Sequence, residues 1–242
     1  MCLYVVVVVS AVCVVYDYYP TAVTLEQRHL LPSLDASTPP STFPSPLSED
    51  TLWSYTCQLV STIHAAHSAS MALYDVISVR RVLVTAPNRL RLSNLALRDI
   101  LLSKSDAPLP PNRPLRLYQM DDLYHLGQLL LSLATVTASS DVWPSHVPDT
   151  VDPTLEQSLP SHFRAMFRLA ATRYSLDMVH LIAYLLTTSR LPAEHGSACS
   201  IFAVTSMIAH KLLQHSARAQ QSAPFHTHDS MQRYIGDECT GL

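Results

Sequence analysis

Apolar residues recur at intervals of three and four over several stretches of the chain, which is the spacing of an amphipathic α-helix. Residues 48–50 (SED) supply a cap and negative charge for a helix that the pattern continues to about Ser68. Asp121 or Asp122 precedes a strongly apolar segment, DLYHLGQLLLSLAT, which predicts a capped and buried helix. Further helices are predicted over His162–Arg173, Leu176–Leu186 and Ser200–His215. The chain is therefore expected to be mainly helical.

Two parts of the chain favour β-strands instead. The valine-rich start, MCLYVVVVVSAVCVVY, favours a strand over a helix, and we expect Ala11–Tyr16 to form a buried strand. Val82–Thr85 and Leu90–Leu92 are short apolar segments on either side of the turn residues 86–88 (APN), which predicts a small β-hairpin.

Three segments rich in proline and serine separate these elements: 32–50, 105–116 and 138–154. The first of them shows no apolar periodicity, and each is predicted to be a loop or linker.

The charged residues are unevenly distributed. The formal net charge is −3, which argues against nucleic-acid binding through bulk charge. Only Lys104 and Lys211 are lysines, so arginine carries nearly all the positive charge. A local basic cluster is formed by Arg80, Arg81, Arg89, Arg91 and Arg98.

Composition excludes several kinds of site. The chain has four glycines, too few for a glycine-rich phosphate loop. Its five scattered cysteines contain no C-x-x-C pair, so reduced thiols in the cytoplasm are expected rather than a disulfide scaffold or a zinc ribbon. His64 and His67 have a spacing that could hold a metal, but no third ligand is evident, and no metal site is predicted.

The order of the elements is similar to that of a protein-kinase C-terminal lobe, whose buried helix opens D-x-x-x-L-G, here DLYHLG from Asp122 to Gly127. More specifically, the chain resembles the pseudokinase regulatory subunits of the Pan poly(A)-nuclease deadenylation complexes. The matching stretches are VYDYYPTAVTLEQRHL, LWSYTCQLVSTIHAAHSA, VLVTAPNRLRLSNLALRDIL, MDDLYHLGQLLLSLA and RYSLDMVHLIAYLL.

The resemblance implies a fold and a domain organisation. The fold expected is a kinase-like C-terminal lobe, mainly α with a small β-hairpin, carrying a remnant of the N-terminal lobe. Residues 1–20 would hold that remnant and the hinge, 21–50 the hinge exit and a linker, and 51–220 the lobe. Residues 221–242 would be a tail that begins the family's dimerising coiled coil. With one N-lobe strand and no C-terminal knob, the chain is expected to be a fragment or a truncated gene model.

Kinases transfer phosphate with a catalytic base, metal ligands, a lysine and a glycine-rich loop. Aligned on VLVT, the resemblance puts the base at Val76, one metal ligand at Arg81 and the metal-binding aspartate at Asn94. A shift of one residue would put Asp75 at the base position, and both registers stay open. No lysine precedes Lys104, so the phosphate-binding lysine is also missing and no catalytic residue is predicted.

A bound ATP that is not hydrolysed is a property of the full-length family, and the resemblance places a nucleotide site here. Its hinge residues would be Tyr16, Asp17 and Tyr18, with Arg81 and Asn94 at the former metal positions. Arg81 could pair with phosphate directly, since a guanidinium needs no metal to do so, or it could be solvated or paired on a helix. Asp122 is expected to have a structural role, capping the buried helix and binding the catalytic-loop backbone.

The function implied by the resemblance is that of a non-catalytic subunit in shortening of mRNA poly(A) tails, which recruits the nuclease subunit to poly(A) mRNA. The partners implied are that nuclease, poly(A)-binding protein and poly(A) RNA. The arginine cluster could contact RNA phosphates or be an ordinary exposed face of the hairpin. The family is homodimeric, whereas this chain is expected to be monomeric because its tail has few apolar positions.

A second interpretation is that the kinase resemblance is vestigial. The chain would then be a small helical protein with an N-terminal membrane or export segment. The apolar start is shorter than the roughly 20 residues that a spanning helix needs, and no basic residue precedes it, which favours the first interpretation.

Overall fold

A computed structural model of the chain describes residues 4–8, 11–31, 46–95, 114–136, 146–188 and 200–222. The elements are β1 (Tyr4–Val8), β2 (Ala11–Val15), β3 (Val23–Thr24), α1 (Glu49–Ser68), β4 (Val82–Ala86), β5 (Arg89–Leu92), α2 (Leu115–Ala134), α3 (Pro153–Ser158), α4 (Ser161–Arg173), α5 (Leu176–Thr188), α6 (Ile201–Met207) and α7 (Ala209–Ser222). A π-helical turn, Glu26–Leu30, follows β3, and a 3-10 helical turn, Tyr74–Val76, precedes β4. The chain divides into two compact units, residues 1–207 and residues 208–242.

The valine-rich start forms a two-stranded hairpin. β1 and β2 are antiparallel, with Tyr4 opposite Val15 and Val8 opposite Ala11. The strand predicted at Ala11–Tyr16 is therefore present, but the expectation that it is buried is wrong at its end, because Val15 is 44% exposed. Val15 is the last residue of a two-stranded sheet, and β propensity by itself does not imply burial.

The predicted hairpin belongs to a sheet of three strands in the order β3-β4-β5. β3 adds Val23 and Thr24 to one edge of β4, opposite Val84 and Leu83. β4 alternates, with Val82 and Val84 buried, so one face of the hairpin lies on the helices. Asn88 in the connecting turn has a φ of 54°, a left-handed conformation that asparagine tolerates better than most residues.

Helix α1 has the predicted cap. The Ser48 hydroxyl accepts a hydrogen bond from the Thr51 amide at 3.3 Å. Glu49 then joins this helix to α5: its carboxylate accepts hydrogen bonds from the Trp53 indole at 3.0 Å and from the Ser175 amide at 3.1 Å. The two helix starts are thus connected by one carboxylate.

Helix α2 is the centre of the first unit, with buried residues around nearly its whole circumference. It begins at Leu115, preceded by Pro114, and not at Asp121 or Asp122. The prediction that an aspartate caps this helix is wrong, because the buried Tyr118 and Met120 extend the apolar pattern towards the N-terminus. Asp122 lies about two turns inside the helix instead.

Two of the helices that follow α2 match their predictions closely, whereas α3 and the last predicted helix do not. α4 and α5 run over the expected residues, while α3 begins at Pro153 inside the segment that was predicted to be a loop. The helix predicted at Ser200–His215 is two helices, α6 and α7, since Ile208 lies between them. The tail expected at residues 221–242 falls almost entirely outside the described residues. Within the described residues, none of the helices has the length and apolar character that crossing a membrane requires.

Candidate functional site

The segment aligned with a kinase catalytic loop is the 3-10 helical turn Tyr74–Val76. Tyr74 has a φ of 55°, an unfavourable conformation for a bulky residue that the fold must hold in place. Val76, at the predicted base position, is buried with 5% exposure. A buried valine neither accepts a proton nor orients a hydroxyl group, so this position cannot perform base catalysis.

Asp75, at the base position of the alternative register, is already paired. Its Oδ2 lies 2.8 Å from Nη1 of Arg81, and the two side chains are 50% and 39% exposed. Arg81, which the resemblance aligns with a metal ligand, therefore directs its charge at the Asp75 carboxylate. Arg81 is thus both partly exposed and paired with a carboxylate of the 3-10 helical turn.

The segment aligned with the metal loop is attached to both the hinge and the catalytic loop. The Ser93 amide and hydroxyl donate to the Arg81 carbonyl at 3.0 and 2.6 Å. The Tyr16 hydroxyl donates to the Leu95 carbonyl at 2.9 Å. Asn94 between them is exposed, with a φ of 57°. Three of the predicted nucleotide residues, Tyr16, Arg81 and Asn94, are thereby brought into one neighbourhood.

The other two predicted hinge residues are open to solvent. Asp17 is exposed, and Tyr18 has 84% of its surface exposed. Burial raises the pKa of the Tyr16 hydroxyl above its ordinary value, so it remains protonated and a donor at neutral pH. Of the predicted hinge residues, Tyr16 is joined to the metal-loop segment by its hydrogen bond to the Leu95 carbonyl.

Asp122 makes the predicted contact with the catalytic-loop backbone. Its Oδ2 accepts a hydrogen bond from the Leu73 amide at 2.7 Å and lies 3.0 Å from Nε2 of His67. The side chains of Asp122 and His67 are 0% and 5% exposed. Burial raises the pKa of Asp122, and the interactions with His67 and Leu73 offset that increase only in part. Asp122 therefore braces the loop from inside α2.

The histidines of α1 do not form a metal site. His67 faces Asp122, whereas the His64 ring lies edge-on to the ring of Phe202, 5.2 Å between centroids. No cluster of three or more metal-ligating side chains occurs among the described residues.

The arginine cluster contains two arginines in ion pairs and two that are exposed on strand β5. Arg80 is paired with Glu26 at 2.9 Å, and Arg81 with Asp75. Arg89 and Arg91 are exposed at alternate positions of β5, as the strand period predicts. The last member, Arg98, lies outside the described residues. Arg91 lies over the ring of Tyr19, 5.9 Å from its centroid, an aromatic partner that the sequence pattern did not indicate.

No protein-family model matches the chain. Individual relatives do match. The chain is 29% identical over 237 residues to a protein of Cryptococcus neoformans, 95% of this chain and 29% of that protein. A Dictyostelium discoideum protein is 31% identical over 205 residues, 85% of this chain and 22% of the relative. A Scheffersomyces stipitis protein is 38% identical over 130 residues, 53% of this chain and 19% of the relative. Each of the three is a PAN3 subunit of a PAN2–PAN3 deadenylation complex.

The chain is a relative of PAN3. The resemblance predicted from the sequence is thus confirmed. The chain spans between 19% and 29% of the length of these PAN3 relatives.

Solved structures show the same fold. The chain superposes on the Neurospora crassa PAN3 pseudokinase with a TM-score of 0.63 at 21% identity, over 94% of this chain and 46% of that one. A chain in the complex of Neurospora PAN2 (WD40-CS1) with PAN3 (pseudokinase and C-term) matches with the same TM-score and coverage. The predicted fold class, mainly helical with a small antiparallel sheet and kinase-like, is confirmed.

Proposed function

We propose that the chain is the pseudokinase part of a non-catalytic subunit that acts in shortening mRNA poly(A) tails. The observation that carries the proposal is the state of the segment aligned with the catalytic loop. The residue aligned with the base, Val76, is a buried valine, and Arg81, which is aligned with a metal ligand, forms an ion pair with Asp75. The backbone architecture of the loop is kept, since Asp122 still holds the Leu73 amide. A fold that retains its loop and has lost its catalytic groups is suited to positioning other molecules. Residues 51–220 would form this lobe, behind a hinge in residues 1–20 and a linker in 21–50.

The proposed partner is the nuclease subunit of the same complex, because the PAN3 relatives bear the name of a complex with PAN2. Recruitment of that nuclease to poly(A) mRNA, together with poly(A)-binding protein, is the role proposed for the complete subunit in the cytoplasm. Homodimerisation would depend on a coiled coil that begins in residues 221–242.

RNA contact is proposed at Arg89 and Arg91. These arginines are exposed on one strand, and Tyr19 beside Arg91 adds a ring on which a base can stack. Arg80 and Arg81 are engaged with Glu26 and Asp75, so within the described part of the chain they are weaker candidates for phosphate contact.

ATP is proposed as a bound ligand that is not hydrolysed. The hydrogen bond from the Tyr16 hydroxyl to the Leu95 carbonyl supports this proposal, because it joins two of the residues implied by the resemblance, Tyr16 and the neighbour of Leu95, Asn94. Arg81 already forms a 2.8 Å ion pair with Asp75. To bind the phosphates of ATP, its guanidinium would have to break that ion pair.

The purified chain is expected to transfer no phosphate from ATP to itself, to casein or to a peptide mixture. The physical reason is twofold. The valine side chain at the predicted base position, Val76, cannot accept a proton, and Asn94 stands where the resemblance places the metal-binding aspartate. Incorporation of radiolabelled phosphate is the measurement, with boiled protein as the control. Incorporation that disappears in Asp75→Asn would contradict the prediction and assign the base to the alternative register.

The chain's gene product, tagged at its genomic locus, is expected to co-purify with the nuclease subunit. Its removal is expected to lengthen bulk poly(A) tails. Quantitative mass spectrometry of the purified material and tail-length sequencing measure the two effects. An unrelated tagged protein serves as the control. Tails of unchanged length, with no nuclease recovered, would show that the proposed function is wrong.

A further inference from the structure

An open cleft of about 400 Å³ lies on the side of the small sheet that holds the turn between β4 and β5. Its walls are the π-helical turn, the start of α1, β3 and the β4–β5 turn. The cleft is separate from the catalytic-loop neighbourhood, because Val76, Asp75, Arg81 and Asn94 do not line it.

The described residues that line this cleft include basic side chains and no acidic ones. The basic side chains are those of Arg28 and His29. Arg28 is exposed, and within the described part of the chain no carboxylate is paired with it. The nearest acidic residue along the chain, Glu26, is engaged with Arg80. An unpaired guanidinium is thus presented to a concave surface.

The neighbours of Arg28 are neutral hydrogen-bonding groups. Nε2 of His29 lies 3.1 Å from the Tyr55 hydroxyl. Burial lowers the pKa of His29, and the charge of Arg28 lowers it further, so the imidazole is neutral at pH 7. The hydroxyls of Thr51 and Thr85 also line the cleft, and they are hydrogen-bonded to the Ser48 hydroxyl at 2.8 Å and to the Arg89 carbonyl at 3.5 Å. One permanent positive charge among neutral polar groups fits a single carboxylate.

The remaining wall of the cleft is apolar. Val23, Val84, Ala86 and Pro87 line it. Small-molecule sites usually enclose most of their ligand, whereas this cleft is open and several of its residues are exposed, including Thr21 and Asn88. An open cleft with an apolar wall and one guanidinium is suited to an acidic side chain that another protein presents between apolar neighbours.

Both walls are anchored before any ligand arrives. The π-helical turn is held by the Glu26 amide, which donates to the Val79 carbonyl at 2.9 Å. The β4–β5 turn is held to α1 by Gln58, whose side chain binds the Asn88 carbonyl at 2.7 Å and the Leu90 amide at 2.9 Å. A preformed site loses little entropy on binding.

We propose that this cleft is a docking site for an acidic peptide segment of a partner protein, with Arg28 binding one carboxylate of the segment. The site is independent of the function proposed above, and its failure would leave that function untouched.

The experiment is fluorescence-anisotropy titration of the whole chain with a labelled peptide in which glutamate alternates with leucine. A matched peptide with glutamine in place of glutamate is the ligand control. Arg28→Gln is expected to weaken binding of the acidic peptide about tenfold, the size of one charge-assisted hydrogen bond. Arg89→Gln, an exposed arginine outside the cleft, is the matched protein control and is expected to bind as the wild type does.

Three results would overturn the proposal: no measurable binding of the acidic peptide, equal binding of the glutamine peptide, or equal weakening by Arg28→Gln and Arg89→Gln. Displacement of the peptide by inorganic phosphate at concentrations where acetate has no effect would also overturn it, because the occupant would then be a phosphoryl group. Shifts of the His29 ring signals in NMR spectra, on addition of the acidic peptide alone, are expected and place the peptide in the cleft. Arg28→Gln keeps its denaturation midpoint, since Arg28 is exposed and supports no described ion pair.

Discussion

Asp122→Ala is expected to lower the free energy of unfolding by about 2–4 kcal/mol, because each buried group that loses its partner costs about 1–3 kcal/mol. The substitution leaves two such groups, the Leu73 amide and the His67 ring, both of which bind Oδ2 of Asp122. The His67 side chain is 5% exposed, so water compensates poorly for the loss. Denaturant unfolding followed by circular dichroism measures the effect.

Asp75→Ala is the matched control for this prediction. It removes the other carboxylate of the same loop, but the ion pair with Arg81 is exposed at both side chains. An exposed pair contributes about 0–1 kcal/mol, so a small change in the midpoint is expected. Equal midpoints for Asp122→Ala and Asp75→Ala would show that Asp122 does not brace the loop.

Asp122→Asn separates the charge of Asp122 from its contacts. Burial raises the pKa of Asp122 in the folded chain, so between the unfolded and folded pKa values the folded chain binds more protons. The stability of the wild type relative to Asp122→Asn is therefore expected to fall as the pH rises from the unfolded value, near 3.8, through the higher folded value. A difference between the two proteins that is constant with pH would contradict the direction of that shift.

Gly127→Val is expected to destabilise the chain by about 3 kcal/mol, the upper part of the usual range for overpacking a core. A Cβ atom at Gly127 would lie 2.9 Å from Cβ of Leu185 and 3.1 Å from two side-chain carbons of Leu186. Cβ of Leu185 is fixed to the backbone of α5, so it cannot turn away as the end of a flexible side chain could. The two helices would have to separate.

Two variants identify the cause of that loss. Ala165→Val places the same β-branched side chain at an exposed position of α4, where only its helix propensity counts and the expected cost is below about 1 kcal/mol. Gly127→Ala combines a favourable propensity of about 1 kcal/mol with the close contact to Leu185, so its net effect is expected to be small. If Gly127→Val lowers the denaturation midpoint no more than Ala165→Val does, then α2 and α5 do not approach as closely as the 2.9 Å distance implies.

The helical periodicity alone located most of the fold. The cap at Ser48, the apolar stripe of α1 and the segments of α4 and α5 all depend on neighbouring residues along the chain, which a sequence displays directly. The start of α2 was placed too late because an aspartate before an apolar run is the usual capping signal. Only the folded structure shows that Asp122 faces inwards to Leu73 and His67.

The site divides in the same way. Residue identity was enough to predict the loss of catalysis in either register, because Asn94 is a neutral amide at the position of the metal-binding aspartate and no lysine precedes Lys104. The pairing of Arg81 with Asp75, the stacking of Arg91 on Tyr19, and the cleft around Arg28 were not predictable. Arg91 and Tyr19 are separated along the chain by the whole of α1, and the cleft is assembled from a π-helical turn, a helix and a hairpin. The sequence by itself determined what each side chain can do, and the tertiary structure decided which side chains meet, because those distances are set by packing between elements far apart in the chain.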